Sequence, residues 1–328
     1  MFTIIIPIDL KYRSKDIIRK AEKISAAAEI EDVFIIYGHA DRECGADLDF
    51  EKSIKKYANT SIIKVKSTNN KVNTSRLRNR AVELVDTKYI LLLDVDIHLE
   101  IQIFKEYISK IENKFSNFYI FPCLYLTRFG TNKLIKNKIS SQELKDRFFC
   151  FSRKEFLHLA SPSSVTLMKT HDYKKIGGFD ENFEGHGFED FDFLIRLCKS
   201  YNLLKDKPDL MVNDTARSPL FYVGFRKYLG ELCIEMLIKK EMVFHLHHEK
   251  ESKSDYHKER NKNLNYFLNK HNSGKYQSSS QRTLISSFIE LCSYYNKDIV
   301  EYSILFENKP GHIDRYDTFK RKIKFIFN

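Results

Sequence analysis

The stretch Lys88-Tyr89-Ile90-Leu91-Leu92-Leu93-Asp94-Val95-Asp96 decides the fold. Its continuous apolar run, residues 89–93, has the length and uninterrupted hydrophobicity of a strand buried on both faces, and it stops abruptly at carboxylates. Side chains alternate along an extended chain, so Asp94 and Asp96 point to one side. Upstream, residues 2–8, 33–37 and 61–65 are further β-branched apolar runs, and residues 15–28 and 75–85 carry apolar positions at helical spacing. This alternation predicts an α/β chain with a mostly parallel sheet and helices on both faces. In such sheets ligands bind beyond the carboxyl ends of the strands, where Asp94 and Asp96 fall.

Downstream the pattern changes. Residues 117–127 read as a strand, 131–156 as a basic, loop-rich stretch and 164–168 as a short strand. Gly177-Gly178 opens a turn, after which Phe191, Leu194, Ile195 and Cys198 fall on one helical face. Residues 243–248 read as an apolar, histidine-rich strand, 249–281 as a Lys/Asn/Ser-rich connector and 282–306 as helical. The expected organisation is a domain over residues 1–250, with a nucleotide-binding half (1–100) and an acceptor half (101–250), followed by a linker and helical extension over 251–328.

At 328 residues, with 42% hydrophobic, 13% aromatic and 30% charged residues, the composition is globular and excludes disordered, collagen-like and coiled-coil chains. No apolar run reaches the roughly 18 to 20 residues that cross a bilayer. Met1 leads straight into a strand-like run without a signal-peptide layout, so the cytoplasm is the expected compartment. The six cysteines are scattered with no metal-finger spacing and read as reduced thiols. The net charge of +11 points to an anionic partner, although Lys, Asn and Ile are abundant together and the charge also reads as bulk composition.

Three segments carry candidate chemistry. Asp94-Val95-Asp96 offers hard oxygen ligands for a divalent cation that bridges nucleotide phosphates, and reads equally as a solvated turn whose Asp caps the next helix. Residues 177–192 hold four glycines and six carboxylates, and place Glu189 and Asp190 at a helix N-terminus, where a fixed, ionised carboxylate suits a general base. Plain helix capping is the competing reading there. In Phe244-His245-Leu246-His247-His248, His245 and His247 share one face of a presumed strand and suit a transition metal, or serve only as packing.

Taken in order, Asp94-Val95-Asp96, Gly178-Phe179-Asp180 leading to Gly185-His186-Gly187-Phe188-Glu189-Asp190, and Met242-Val243-Phe244-His245 resemble the nucleotide-sugar glycosyltransferases of the GT-A fold. The likeness covers roughly residues 1–250. It is to inverting family-2 enzymes and to the galactosyltransferase-type C-terminal region of β-1,4-galactosyltransferases and bacterial capsule polymerases. Arg78-Asn79 followed by Ala81 also resembles the A-R-N segment of family-2 enzymes. The resemblance implies a UDP-sugar donor and a glycan or lipid-linked glycan acceptor, in capsule or lipopolysaccharide synthesis. It implies a divalent metal, Mn2+ with Mg2+ as the alternative, on Asp96 and His245, with Asp94 near the ribose or the metal's water shell and Met242 a softer ligand. Asp190 would be the base, with Glu189 holding the acceptor. Asp9, Arg13, Asp41, Arg78, Asp94, Val95 and Asp96 would meet the nucleotide sugar, and Gly185, His186, Gly187 and Phe188 would line the acceptor pocket.

The family's G-W-G-G-E-D becomes Gly185-His186-Gly187-Phe188-Glu189-Asp190 here, with His186 in place of tryptophan and Phe188 in place of glycine. Residues 319–327 place Phe319, Ile323, Ile326 and Phe327 near one helical face, the pattern of a helix lying on an anionic membrane or docked on its own domain. A retaining transferase is the alternative within enzymes. A non-catalytic nucleic-acid- or lipid-binding module is the alternative outside them, and the acidic clusters make nucleic acid an unexpected partner.

Overall fold

The computed structural model describes residues 1–66, 71–205, 207–214, 216, 218–249, 259–271 and 283–307. They form two compact units: residues 1–119, 164–205 and 250–273 make the first, and residues 120–163, 206–249 and 274–328 the second. In chain order the strands are β1 (Phe2–Ile8), β2 (Phe34–Asp41), β3 (Thr60–Lys66), β4 (Tyr89–Leu92), β5 (Ile97–His98), β6 (Phe118–Ile120), β7 (Cys123–Leu126), β8 (Phe156–Ala160), β9 (Thr166–Lys169) and β10 (Val243–His245).

The first unit is built on a sheet of order β3-β2-β1-β4-β9-β6. Strands β3, β2, β1 and β4 are mutually parallel, and β9 runs antiparallel to β4 with Leu92 opposite Thr166. The mixed α/β, mostly parallel architecture expected of the sequence is therefore present. Every residue of β4 is buried, which is why it reads as a continuous apolar run. Helix Thr74–Glu83 lies against β2 at Gly38, where any Cβ would sit 2.1 Å from the Leu77 carbonyl oxygen. Glycine is required at that point, and the close approach sets the position of Arg78, the residue after Leu77.

In the second unit β10 pairs parallel with β7 and β7 antiparallel with β8. Helices Ser141–Phe149, Ile234–Ile238 and Ile285–Tyr294 pack with this sheet around Leu124, Leu144, Phe156, Leu237, Phe244 and Phe288.

Four stretches differ from their sequence reading. Residues 117–127 are two strands, because Phe121-Pro122 interrupts the run and proline cannot donate to a ladder. The stretch 131–156 contains helix Ser141–Phe149 and most of helix Arg128–Ile135, each opened by a hydroxyl cap: Thr127 accepts from the Gly130 amide and Ser140 from the Glu143 amide. Within the stretch read as a connector, Arg260–His271 is a helix of the first unit whose buried positions are Asn263, Phe267 and His271. Two polar residues in its buried stripe hide it from a hydrophobic-periodicity reading. Strand β10 ends at His245, so His247 is not on it.

All six cysteines are free, four of them buried. Among the described residues no helix is long and apolar enough to cross a membrane. The amphipathic tail, residues 319–327, lies outside the described residues.

Candidate active site

The centre of the first unit's site is a buried cation. Arg78 is 3% exposed; its guanidinium donates to Asp94 at 2.8 Å and to Asp190 at 3.0 Å, with the Phe179 ring 4.8 Å from its central carbon. Burial works against the charge, but Asp190, Asp94 and Glu189 outweigh it and hold Arg78 protonated, its pKa raised. The other Asp94 oxygen accepts from the Ser164 hydroxyl at 2.9 Å. Both acids stay about one-third exposed, 35% for Asp94 and 33% for Asp190, so each is fixed on one side and open on the other.

Helix Glu189–Ser200 starts at the two acids of the Gly-rich segment. Burial, reinforced by the neighbouring Asp190, pushes the Glu189 carboxyl up to about 8, so Glu189 is a neutral acid at pH 7. Its Oε2 is buried without a hydrogen-bond partner among the described residues. Burial also raises Asp190, with Arg78 pulling the other way. A carboxylate moved towards neutrality is a better proton acceptor for a hydroxyl than an ordinary aspartate. A folded-state pKa above the unfolded one is a stability contribution present at low pH and lost as pH rises through the folded value. Glu189→Gln, which mimics the neutral acid, should therefore match wild-type stability near pH 4 and become progressively more stable than wild type up to about pH 8. Urea denaturation across that range checks this, and a constant difference would contradict it.

Asp96 accepts from Arg13 at 3.0 and 3.2 Å and from the buried Lys20 ammonium at 2.6 Å. The Asp96 carboxylate offers hard oxygen ligands of the kind a divalent cation takes, and an ion there would take the place of Arg13 and Lys20 on those oxygens. In the second unit the His245 ring stacks on Tyr125 at 4.2 Å, and Tyr125 stacks on His158 at 4.1 Å, a ladder of rings across β10, β7 and β8. His245 is thus presented rigidly from a sheet. Met242 is fully buried in that unit's apolar core.

Of the other expected residues, Asp9 binds Arg42 through both oxygens, at 2.8 and 2.6 Å, and Asp41 accepts from the Glu43 amide. Val95 is buried in the turn between Asp94 and Asp96. Gly185 donates its amide to the Val72 carbonyl, and Gly185 and Gly187 have φ of 71° and 105°. The His186 carbonyl lies 3.5 Å from the Asn263 amide nitrogen.

Four residues that bond to the candidate site are absent from its sequence reading. Asn79 accepts from the Phe179 amide and the Tyr173 hydroxyl and donates to the Phe179 carbonyl, which ties helix Thr74–Glu83 to the Gly-rich loop. Its position beside Arg78 was the available signal. Arg42 and Ser164 lie 33 and 70 residues from Asp9 and Asp94, separations that leave no local pattern; Lys20 has a local partner in Asp16, four residues earlier, but its bond to Asp96 spans 76 residues.

Farther along helix Glu189–Ser200, the fully buried Asp192 accepts from His271 at 2.9 Å and Arg196 at 2.9 Å, and lies 2.8 Å from the Lys270 ammonium. Burial alone would raise its pKa, but these cationic and imidazole donors win and bring it down to about 2. The depressed value is a stability contribution present above the unfolded pKa and lost as pH falls through the folded one. Asp192→Asn should cost about 3 kcal/mol at pH 7, with the deficit closing between about pH 4 and pH 2. Equilibrium denaturation of the two proteins at both ends of that range is the check.

The pattern of the "Glycosyltransferase like family 2" matches residues 3–272. Comparison with curated proteins gives no match. Among solved structures, TarS 1–349 of S. aureus is 16% identical, with 60% of this chain and 54% of that chain covered and a TM-score of 0.38. The chain therefore spans about half the length of that structure. The catalytic domain of Drosophila β1,4-galactosyltransferase 7, solved with xylobiose, is 12% identical over 61% of each chain, with a TM-score of 0.31. The mannosyltransferase PcManGT of Pyrobaculum calidifontis, solved with GDP-Man and Mn2+, is 11% identical over 60% of this chain and 51% of that one, with a TM-score of 0.36. With most of its length matched by that one family pattern, the chain belongs to the glycosyltransferase family 2-like enzymes.

Proposed function

We propose that this glycosyltransferase is inverting and metal-dependent, and moves a hexosyl or N-acetylhexosaminyl unit from a UDP-sugar to a hydroxyl of a glycan or lipid-linked glycan. The observation that carries the reading is Arg78, which fixes Asp94, the acid at the donor end of β4, and Asp190, the acid at the acceptor helix, in one frame. Asp190 takes the proton of the acceptor hydroxyl as its oxygen bonds to the anomeric carbon and the bond from that carbon to UDP breaks. A single displacement of this kind inverts the anomeric configuration. Neutral Glu189 donates a hydrogen bond to the acceptor.

Asp96, with Asp94 beside it, is the first unit's ligand set for a divalent cation, Mn2+ or Mg2+, and the His245 imidazole is the further ligand proposed. When bound, the ion neutralises the charge on the departing diphosphate. Arg13 and Lys20 add positive charge around Asp96. Asp9, Arg42 and Asp41, after β1 and at the end of β2, serve the nucleoside.

The setting is capsule or lipopolysaccharide synthesis at the cytoplasmic face of the plasma membrane, supported by the motif resemblance and by the basic, amphipathic tail. Product analysis by NMR tests the reading: an α-linked donor should give a β-linked product, and an α-linked product would remove Asp190 as sole base.

A further inference from the structure

Phe188 occupies the N-cap of the helix that carries Glu189 and Asp190, with φ 73° and ψ −11°, in the left-handed region that a residue with a bulky side chain seldom adopts. Its carbonyl accepts from the Asp192 amide at 2.9 Å, so the direction of this one turn sets the direction of the helix start. Something must hold a phenylalanine there.

Helix Arg260–His271, outside the motifs on which the enzyme reading rests, supplies the contacts. The Phe267 ring, fully buried, lies 5.5 Å from the Phe188 ring, and the Arg260 guanidinium carbon lies 5.1 Å from the Phe188 ring. Asn263 donates to the Glu184 carbonyl at 2.9 Å, just before the turn, and His271 reaches Asp192 just after it. The loop and the first helical turn are thus gripped on both sides of Phe188.

We infer that Phe267 is a positioning residue for transfer: by packing on Phe188 it keeps residue 188 left-handed and so aims the Asp190 carboxylate. The inference rests on Asp190 as base. If Phe267 is truncated, Phe188 loses its buried ring partner, and the remaining contacts with Arg260 and Phe191 no longer offset the cost of the left-handed phenylalanine, so the turn relaxes towards negative φ. Glycine pays no such cost at φ 73°. The two positions are therefore coupled in a way that simple core packing is not.

The test uses UDP release from UDP-glucose, UDP-galactose, UDP-N-acetylglucosamine and UDP-N-acetylgalactosamine with Mn2+, water being the acceptor when no glycan is added. UDP affinity and melting temperature are measured on the same proteins. Phe267→Ala should lower kcat about tenfold with unchanged UDP affinity, and adding Phe188→Gly should return kcat to within about threefold of wild type. The melting temperature of the double variant should stay low, since the lost ring contact is not replaced. A kcat that survives Phe267→Ala, or a loss that glycine at 188 does not recover, overturns the inference. Should Phe267→Ala not fold, Phe267→Leu, which keeps apolar volume but loses the flat ring, is used in the same cycle. Asp190→Asn in the same assay separates the two levels: if it is inactive and glycine fails to rescue, only this inference falls. If it is active, the base assignment falls and takes the inference with it.

Discussion

Asp190→Asn is expected to lower sugar transfer by about 10³-fold or more while leaving UDP affinity within a factor of about three. The substitution removes the proton acceptor and changes little else. Burial raises the Asp190 pKa, so ionising this carboxyl is harder in the folded than in the unfolded protein, and an uncharged amide of the same shape should cost little stability at pH 7. The Asn oxygen still accepts from Arg78, which preserves the frame that holds Asp94. Loss of transfer with intact folding and UDP binding therefore isolates the chemical step. The same raised pKa places the acidic limb of the wild-type rate profile above the ordinary aspartate range, with activity falling as pH drops through it. A variant that transfers sugar at near the wild-type rate would move the base elsewhere.

Arg78→Met should be the most damaging single change. It keeps an unbranched apolar stem and removes the guanidinium that is bonded to both Asp94 and Asp190. Breaking a fully buried ion pair from one side costs about 3 to 5 kcal/mol, and the one-third exposure of Asp94 and Asp190 puts this site below that range. Asp190, whose pKa burial already raises, then loses its counter-charge, so its protonation should relieve the defect: the deficit against wild type shrinks as pH falls from 8 towards 4. Arg78→Lys should fail as well, since one ammonium cannot reproduce a fork that binds two carboxylates through separate nitrogens. Denaturation midpoints and UDP release for both variants at pH 8 and pH 5 provide the check, and a lysine variant of wild-type activity would contradict the account.

The sheet was legible in the sequence because strands buried on both faces leave continuous apolar runs: β1, β2 and β4 are nearly all buried and each was read as a strand. Asp94, Asp96, Glu189 and Asp190 were legible because each follows an abrupt change of pattern, from an apolar run to acids or from glycines to a helix. The hub that organises them was not. The motif resemblance implies only a nucleotide-sugar contact for Arg78, and its acidic partners lie 16 and 112 residues away, a relation that periodicity does not encode.

Helix Arg260–His271 was hidden for a different reason: its buried face is Asn263, Phe267 and His271, and its task is to satisfy loop carbonyls and Asp192 as much as to exclude water. Phe188 did leave a signal. A phenylalanine in a position where the resembling pattern has glycine implies a left-handed backbone that some other segment must support, and the structure has both the positive φ and the supporting ring.

The most direct test of the central claim is UDP release from a panel of UDP-sugars, with Mn2+ and with chelator, for the wild type beside Asp96→Ala. The expected result is release from one UDP-sugar that needs both the metal and Asp96, with the alanine variant at the chelator baseline. Release at the full rate in chelator, or from Asp96→Ala with Mn2+ present, would contradict a metal-dependent transfer built on Asp96.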